Sequence, residues 1–114
     1  MKKDTTVFLK HILESIERID EFTSGISRER FFNSVQLQDA VIRRLEIIGE
    51  AVKNIPHSFR KKHKDIPWSE AARTRDKLIH GYFGIDFELV WEIINKDLPD
   101  LKGRIKKILD RLTD

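Results

Sequence analysis

The feature that most constrains the fold of this chain is the recurrence of apolar residues at three- and four-residue steps. This spacing predicts helices over residues 4–22, 34–55 and 67–80, a fourth helix after Asp86 and a fifth that begins with Asp97 and Pro99. No segment alternates as a strand does, and the 5 glycines and 3 prolines leave little room for loops. We therefore expect an all-α fold, an antiparallel up-and-down bundle of about four to five helices.

Residues that start or stop helices stand at the expected boundaries. The triplet that ends in Gly25 should stop the first helix, and Ser27 should cap a short turn that follows it. Pro56 follows the second long helix, which leaves residues 57–64 as a basic connector with room for one helical turn. Gly81 should terminate the third helix, and Asp86 should cap the fourth.

Composition bounds the class of protein. The length of 114 residues suits one domain, residues 1–114. The absence of cysteine excludes a disulfide scaffold, an iron–sulfur cluster, a thiolate zinc site and a cysteine nucleophile. His11, His57 and His63 are scattered, and no H-E-x-x-H, P-loop or G-x-G-x-x-G motif is present, so we expect neither a metal site nor a cofactor. No apolar run is long enough for a membrane span or a signal peptide, which favours a soluble cytoplasmic protein. A net charge of +3 permits nucleic-acid binding without indicating it.

Arg75 is the residue that fits the helical pattern least well. On an ideal helix it lies in the middle of the apolar face that Trp68 and Ile79 share. A buried arginine is costly unless it is paired or partly solvated. One interpretation is an arginine at the edge of the core that reaches solvent or pairs with Glu50. The other is an anion-binding arginine in a cleft.

Asp76 and His80 form an i, i+4 pair on the flank of the same helix. An arginine with an ionisable histidine and a polar aspartate suits acid–base chemistry on a phosphodiester. The C-terminal end of the helix favours protonated His80 by about 0.3–1 kcal/mol. Because Arg75 and His80 lie about 140° apart on the helix, a site that uses both fits a groove between helices or between two chains.

The segment from Arg75 to Tyr82 has the pattern R-x4-H-x-Y, which resembles the signature of the HEPN superfamily in its HepT-like toxin branch. Other blocks also resemble that family, in the same order and with the same spacing, over roughly residues 5–112. They are the block at residues 40–51, Ile66-Pro67-Trp68, Gly84-Ile85-Asp86 with Val90-Trp91, and Asp97-Leu98-Pro99.

The resemblance implies an all-α homodimer whose two R-x4-H motifs face each other across a cleft, and a metal-independent endoribonuclease that acts on RNA. Arg75 and His80 correspond to the catalytic pair, and Asp76 to the polar residue that follows the arginine. The resemblance also implies a partner, an MntA-like nucleotidyltransferase antitoxin. That enzyme transfers AMP from ATP to the motif tyrosine, here Tyr82, and silences the ribonuclease.

Two basic tracts and one charged helix face leave alternatives open. Arg60, Lys61, Lys62 and Lys64 form either a solvated loop or an RNA-backbone contact. The cations at 102–111 are either the solvated face of the last helix or a contact for RNA or the antitoxin. The charges of the long helix are either surface ion pairs or the lining of a dimer cleft, and they belong to Arg43, Arg44, Glu46 and Glu50.

Two other functions compete with a ribonuclease. The first is a non-catalytic HEPN-type module that binds RNA or a nucleotidyltransferase partner. The second is a bundle protein with no role in RNA chemistry, which predicts Arg75 in a closed salt bridge. These alternatives differ in whether Arg75 and His80 line a cleft that can hold a phosphate.

Overall fold

The computed structural model describes the backbone of residues 2–80 and 84–113 and the side chains of residues 5–74 and 84–112. Every regular element in these ranges is helical, which confirms the predicted all-α fold. The helices are α1 (Lys2–Thr23), α2 (Arg28–Phe32), α3 (Val35–Lys53), α4 (His57–Lys62), α5 (Trp68–His80), α6 (Phe87–Glu92), a π-helical segment (Ile93–Asp97) and α7 (Leu98–Thr113). Within the described part, no helix is both long and apolar enough to cross a membrane.

The helix ends follow the local rules. Gly25 has φ of +72°, in the left-handed region that favours glycine, directly after α1 ends. Ser27 caps α2 by accepting a hydrogen bond from the backbone N–H of Arg30 at 3.1 Å. Asp86 caps α6 in the same way through the N–H of Leu89 at 3.2 Å. These three predicted ends are confirmed, whereas Gly81 lies outside the described residues.

The core lies along α3, which packs against α1 on one side and α5 on the other, while α7 packs against α1. Val41 and Val52 of α3 are fully buried, as are Leu9 and Ile16 of α1. A second apolar contact joins α2 to α6, where the buried ring of Phe31 meets those of Phe32, Phe87 and Trp91 at centroid distances of 5.3–6.3 Å. The position of α5, which carries the predicted motif, is therefore set by its packing against α3.

The predicted break between a fourth and a fifth helix is wrong. Instead, the chain stays helical from α6 to α7 through the π-helical segment, in which the N–H of Leu98 donates to the carbonyl of Ile93, five residues earlier. Pro99 explains the wider turn, since a proline has no N–H to donate and its ring would clash with the carbonyl four residues before it. The proline that suggested a new helix therefore widens an existing one.

Arg60 holds the C-terminal end of α3. Its guanidinium donates to the carbonyl of Val52 at 2.6 Å and to that of Ile55 at 3.2 Å. The last carbonyls of a helix have no partner inside the helix, and they carry its partial negative charge. Arg60 therefore links α4 to the end of α3 with a charge of the favourable sign.

We expect Arg60→Ala to lower the free energy of unfolding by about 1–2 kcal/mol, because it leaves two carbonyls without their charged donor. Lys61→Ala is the matched control. Lys61 is the next residue of α4 and is exposed, so its removal should change stability by less than about 0.5 kcal/mol. Urea unfolding of both variants measures the difference, and equal losses of stability would contradict the role given to Arg60.

Candidate functional site

The predicted motif lies on α5, whose backbone is helical from Trp68 to His80. Arg75, Asp76 and His80 therefore share one helix, and His80 is its last residue, as the sequence predicted. The side chains of these three residues lie outside the described part of the chain, as does all of Tyr82. Their roles, and the choice between an open and a paired Arg75, stay predictions.

The start of α5 is firmly anchored. Trp68 is 5% exposed, and its indole Nε1–H donates to the carbonyl of His63 at 2.9 Å. The ring of Phe59 meets the indole edge-on at a centroid distance of 6.4 Å. Trp68 therefore fixes the N-terminal end of the motif helix to the turn before it, which is the packing role that its position on the apolar face suggests.

A cleft of about 330 Å³ opens beside α5, between this helix and the π-helical segment. Glu70 and Thr74 stand on the α5 side, and Lys96 and Asp97 stand on the other. The floor is apolar and consists of Leu45, Ile48, Ala71, Ile93, Leu98 and Leu101. The cleft therefore combines an apolar base with a charged rim.

The rim of this cleft is dominated by carboxylates. Partial burial raises the pKa of Asp97 above its ordinary value, and the charges of Glu70, Glu92 and Asp100 raise it further. Lys96 opposes this effect, but its ammonium also lies 3.5 Å from a carboxylate oxygen of Glu92. The described part of this rim therefore carries more negative than positive charge, which disfavours a phosphate there.

The opposite flank of α5 has a different character. Ser69 and Arg73 are exposed there. Helical periodicity places the backbone positions of Asp76 and His80 on this same flank, since they follow Ser69 and Arg73 by seven residues, or about two turns. The described cation on this flank, Arg73, has the sign that attracts phosphate. A polyanion would therefore meet less repulsion on this flank than at the acidic cleft.

Sequence reasoning missed the acidic cleft. Glu70 and Asp97 come from distant parts of the chain, and they meet only because the helix that begins at Phe87 continues past Asp97. The segment Asp97-Leu98-Pro99 suggested a helix start, which placed Asp97 at the beginning of a fifth helix instead of on a cleft wall. No periodicity within either segment could have indicated the contact.

A shallow groove of about 360 Å³ runs between α1 and α3. Arg43, Glu46 and Glu50 of α3 line it together with Phe8 and His11 of α1. Three of the four charged residues predicted on the long helix therefore share one surface. This arrangement fits both of the open interpretations, a set of surface charges and the lining of a dimer cleft.

The basic run after α3 divides into two kinds of residue. Arg60 is half-buried and bonded to the end of α3, so it serves the fold. Lys61, Lys62 and Lys64 are exposed and stay candidates for RNA contact. Among the described side chains, no cluster of three histidine or carboxylate ligands has the arrangement of a metal site.

Comparison with known proteins gives the family. The family model described as Ribonuclease HepT-like matches residues 12–108, a range that contains the whole R-x4-H-x-Y segment. A Thermococcus cleftensis protein named "Probable ribonuclease HepT" is 51% identical over 108 residues, which cover 95% of this chain and 98% of that protein. No solved structure gives a significant match.

A longer relative also matches. A Methanocaldococcus jannaschii protein named "Gamma-glutamylcyclotransferase and putative RNase" is 55% identical over 112 residues, or 98% of this chain. The chain spans only 50% of the length of that relative. Because the family model covers most of the chain and the Thermococcus relative aligns along nearly its whole length, the chain belongs to the HepT-like ribonuclease family of the HEPN superfamily.

Proposed function

We propose that this protein is a metal-independent endoribonuclease toxin that cleaves cellular RNA, such as tRNA or mRNA, with the R-x4-H motif of α5. The observation that carries this proposal is the position of Arg75 and His80 on one continuous helix in a chain that belongs to the HepT-like ribonuclease family. The exposed Arg73 and the acidic cleft support it, since together they direct a polyanion to one flank of that helix.

In the proposed reaction the RNA supplies its own nucleophile. His80 takes the proton of a 2′-hydroxyl, and the oxygen attacks the adjacent phosphorus while the bond from phosphorus to the 5′-oxygen breaks. A second His80, from the partner subunit, gives a proton to the leaving oxygen. Arg75 stabilises the charge that develops on the non-bridging oxygens, and Asp76 is the polar residue beside it in the site. The products are a 2′,3′-cyclic phosphate and a 5′-hydroxyl end.

A homodimer completes this site in our proposal. Within the described part of the chain, α5 makes its extensive contacts with α3, and Ser69 and Arg73 on its other flank are exposed. A second copy that faces this flank across an open cleft would bring two motifs together and leave room for RNA between them. Light scattering should therefore give a mass of twice the 13.5 kDa of one chain, whereas a monomer at micromolar concentration would contradict this assembly.

The first test is cleavage of purified tRNA and total RNA in the presence of EDTA. We expect the native protein to cut RNA, to leave cyclic-phosphate ends and to spare DNA, which lacks the 2′-hydroxyl. His80→Ala should lose about 10²–10⁴-fold in rate, which is the usual contribution of a general acid or base.

His57→Ala is the matched control for this test, because it removes an exposed imidazole from α4 and should leave the rate unchanged. Loss of cleavage in EDTA, or full activity of His80→Ala, would contradict the proposed mechanism. A folded dimer without bound AMP that cuts no RNA would instead support the non-catalytic module that binds RNA or a nucleotidyltransferase.

We further propose that an MntA-like nucleotidyltransferase antitoxin silences the enzyme by AMPylation. The oxygen of Tyr82 attacks the α-phosphorus of ATP, and pyrophosphate leaves. The AMP group adds bulk and negative charge two residues after His80, which would exclude RNA by steric conflict and repulsion. The basis is the position of Tyr82 in the R-x4-H-x-Y segment, within the range that the family model covers.

This regulation predicts a difference in mass between the native protein and Tyr82→Phe after treatment with the antitoxin. Incubation with the antitoxin, Mg²⁺ and ATP should add AMP to the native protein and abolish cleavage of RNA. Because the chain contains a single tyrosine, Tyr82→Phe should gain no AMP and stay active. AMP on the Phe variant, or an antitoxin that inhibits both proteins equally without ATP, would refute modification of Tyr82 as the switch.

A further inference from the structure

A second groove, of about 340 Å³, lies between the turn after α4 and the outer face of α7. His63 and Asp65 form the wall on the turn side. The wall on the α7 side includes Arg104, Lys107 and Arg111, which recur at three- and four-residue steps along one stripe of the helix. This groove, which we call the α7 groove, is separate from the motif at the C-terminal end of α5.

The α7 groove is held in shape by contacts of its own. The guanidinium of Arg104 donates to Asp65 and to Asp100, each at 2.9 Å, and so ties the turn to α7. The ring of His63 packs against that of Phe59 at a centroid distance of 4.5 Å and a tilt of 37°. The carbonyl of His63 accepts the hydrogen bond from the indole N–H of Trp68. The two walls are therefore positioned before any ligand arrives.

The charge of the groove changes along α7. Asp100 and Asp65 neutralise Arg104 at one end, where the groove adjoins the acidic cleft. Lys107 and Arg111 follow about one and two turns later, and the ion pairs of the described residues include neither of them. The exposed Lys62 and Lys64 are the chain neighbours of His63, but the lining of the groove includes neither of them. The far end of the groove is therefore a band of positive charge without a carboxylate partner among these contacts.

We propose that the α7 groove binds the phosphate backbone of the RNA substrate outside the site of cleavage. Lys107 and Arg111 lie about 6 Å apart along the helix axis, close to the rise of two nucleotides in a stacked strand. Six of the nine described lining residues are polar or charged, and Lys107 and Arg111 are one helical step apart on the same wall. Cations at such regular spacing suit the evenly spaced charges of a nucleic-acid strand, which favours a polyanion over an acidic protein partner. This inference rests on the proposed ribonuclease function.

The position of the groove fits one RNA that reaches both sites. Trp68 joins the turn at His63 to the first residue of α5, and His80 ends the same helix. Trp68 and His80 are twelve residues apart, so α5 alone spans about 18 Å, and an RNA that reaches both sites must exceed the rise of roughly five stacked nucleotides. An RNA longer than this would gain affinity from the α7 groove, whereas an oligonucleotide of two or three residues held at the motif would not.

The test compares two double variants of equal charge. Lys107→Ala with Arg111→Ala removes the two cations of the groove, and Lys10→Ala with Lys106→Ala removes two exposed cations that do not line it. For single-stranded RNA of about 20 nucleotides, we expect the groove variant to bind about tenfold more weakly. The slope of log affinity against log salt should fall by about 1.4, or 0.7 for each lost phosphate contact. The control should match the native protein.

Cleavage assays separate this inference from the proposed function. The groove variant should raise KM for long RNA with little change in kcat, and should cleave a trinucleotide as the native protein does. If the native protein cleaves nothing, the proposed function fails, while the binding comparison still tests the groove. Equal weakening of both double variants, or of neither, would overturn the proposal. So would loss of binding to polyglutamate with RNA binding intact, which would indicate an acidic protein partner.

Discussion

The structure depends on the burial of α3 between two other helices. The apolar residues of α3 must pack against α1 and against α5 at the same time. They are 0–3% exposed at Val41, Leu45, Ile48 and Val52. Burial of this kind contributes roughly 1.5–3 kcal/mol for each side chain. The site inherits its geometry from this contact, because α5 packs on α3 and carries the motif. A change that tilts α3 would therefore displace the proposed catalytic residues without touching them.

Periodicity and capping predicted most of the fold. The stripes of α1 and α3, the glycine after α1 and the caps at Ser27 and Asp86 are decided by residues within one or two turns of each other. Such local information is present in the sequence itself. The unbroken path from α6 to α7 was missed because Pro99 is an equally good signal for a helix start and for a widened turn. Only the packing of Leu98 and Leu101 in the core decides between them.

The candidate site was predictable to a smaller extent. The motif and its helix could be found from the sequence, since R-x4-H is local and α5 has clear start and stop signals. The acidic cleft and the α7 groove join titratable residues from opposite walls that are 26 to 48 positions apart, so their charges could not be assigned to a surface in advance. Arg60 shows the same limit: among neighbouring cations, only the folded chain distinguishes the one that bonds to the end of α3.

The π-helical segment also bears on how chains of this family can be aligned and can diverge. It holds one residue more per turn than the helices on either side of it. Elsewhere in a helix, loss of one residue would rotate everything that follows by about 100° and turn the apolar stripe of α7 away from α1. If the residue were lost from this segment instead, the wide π-turn would become an ordinary α-turn, and the helix after it would keep its orientation. A gap of one residue between Ile93 and Asp97 is therefore compatible with the same bundle, and alignments of relatives should permit it there.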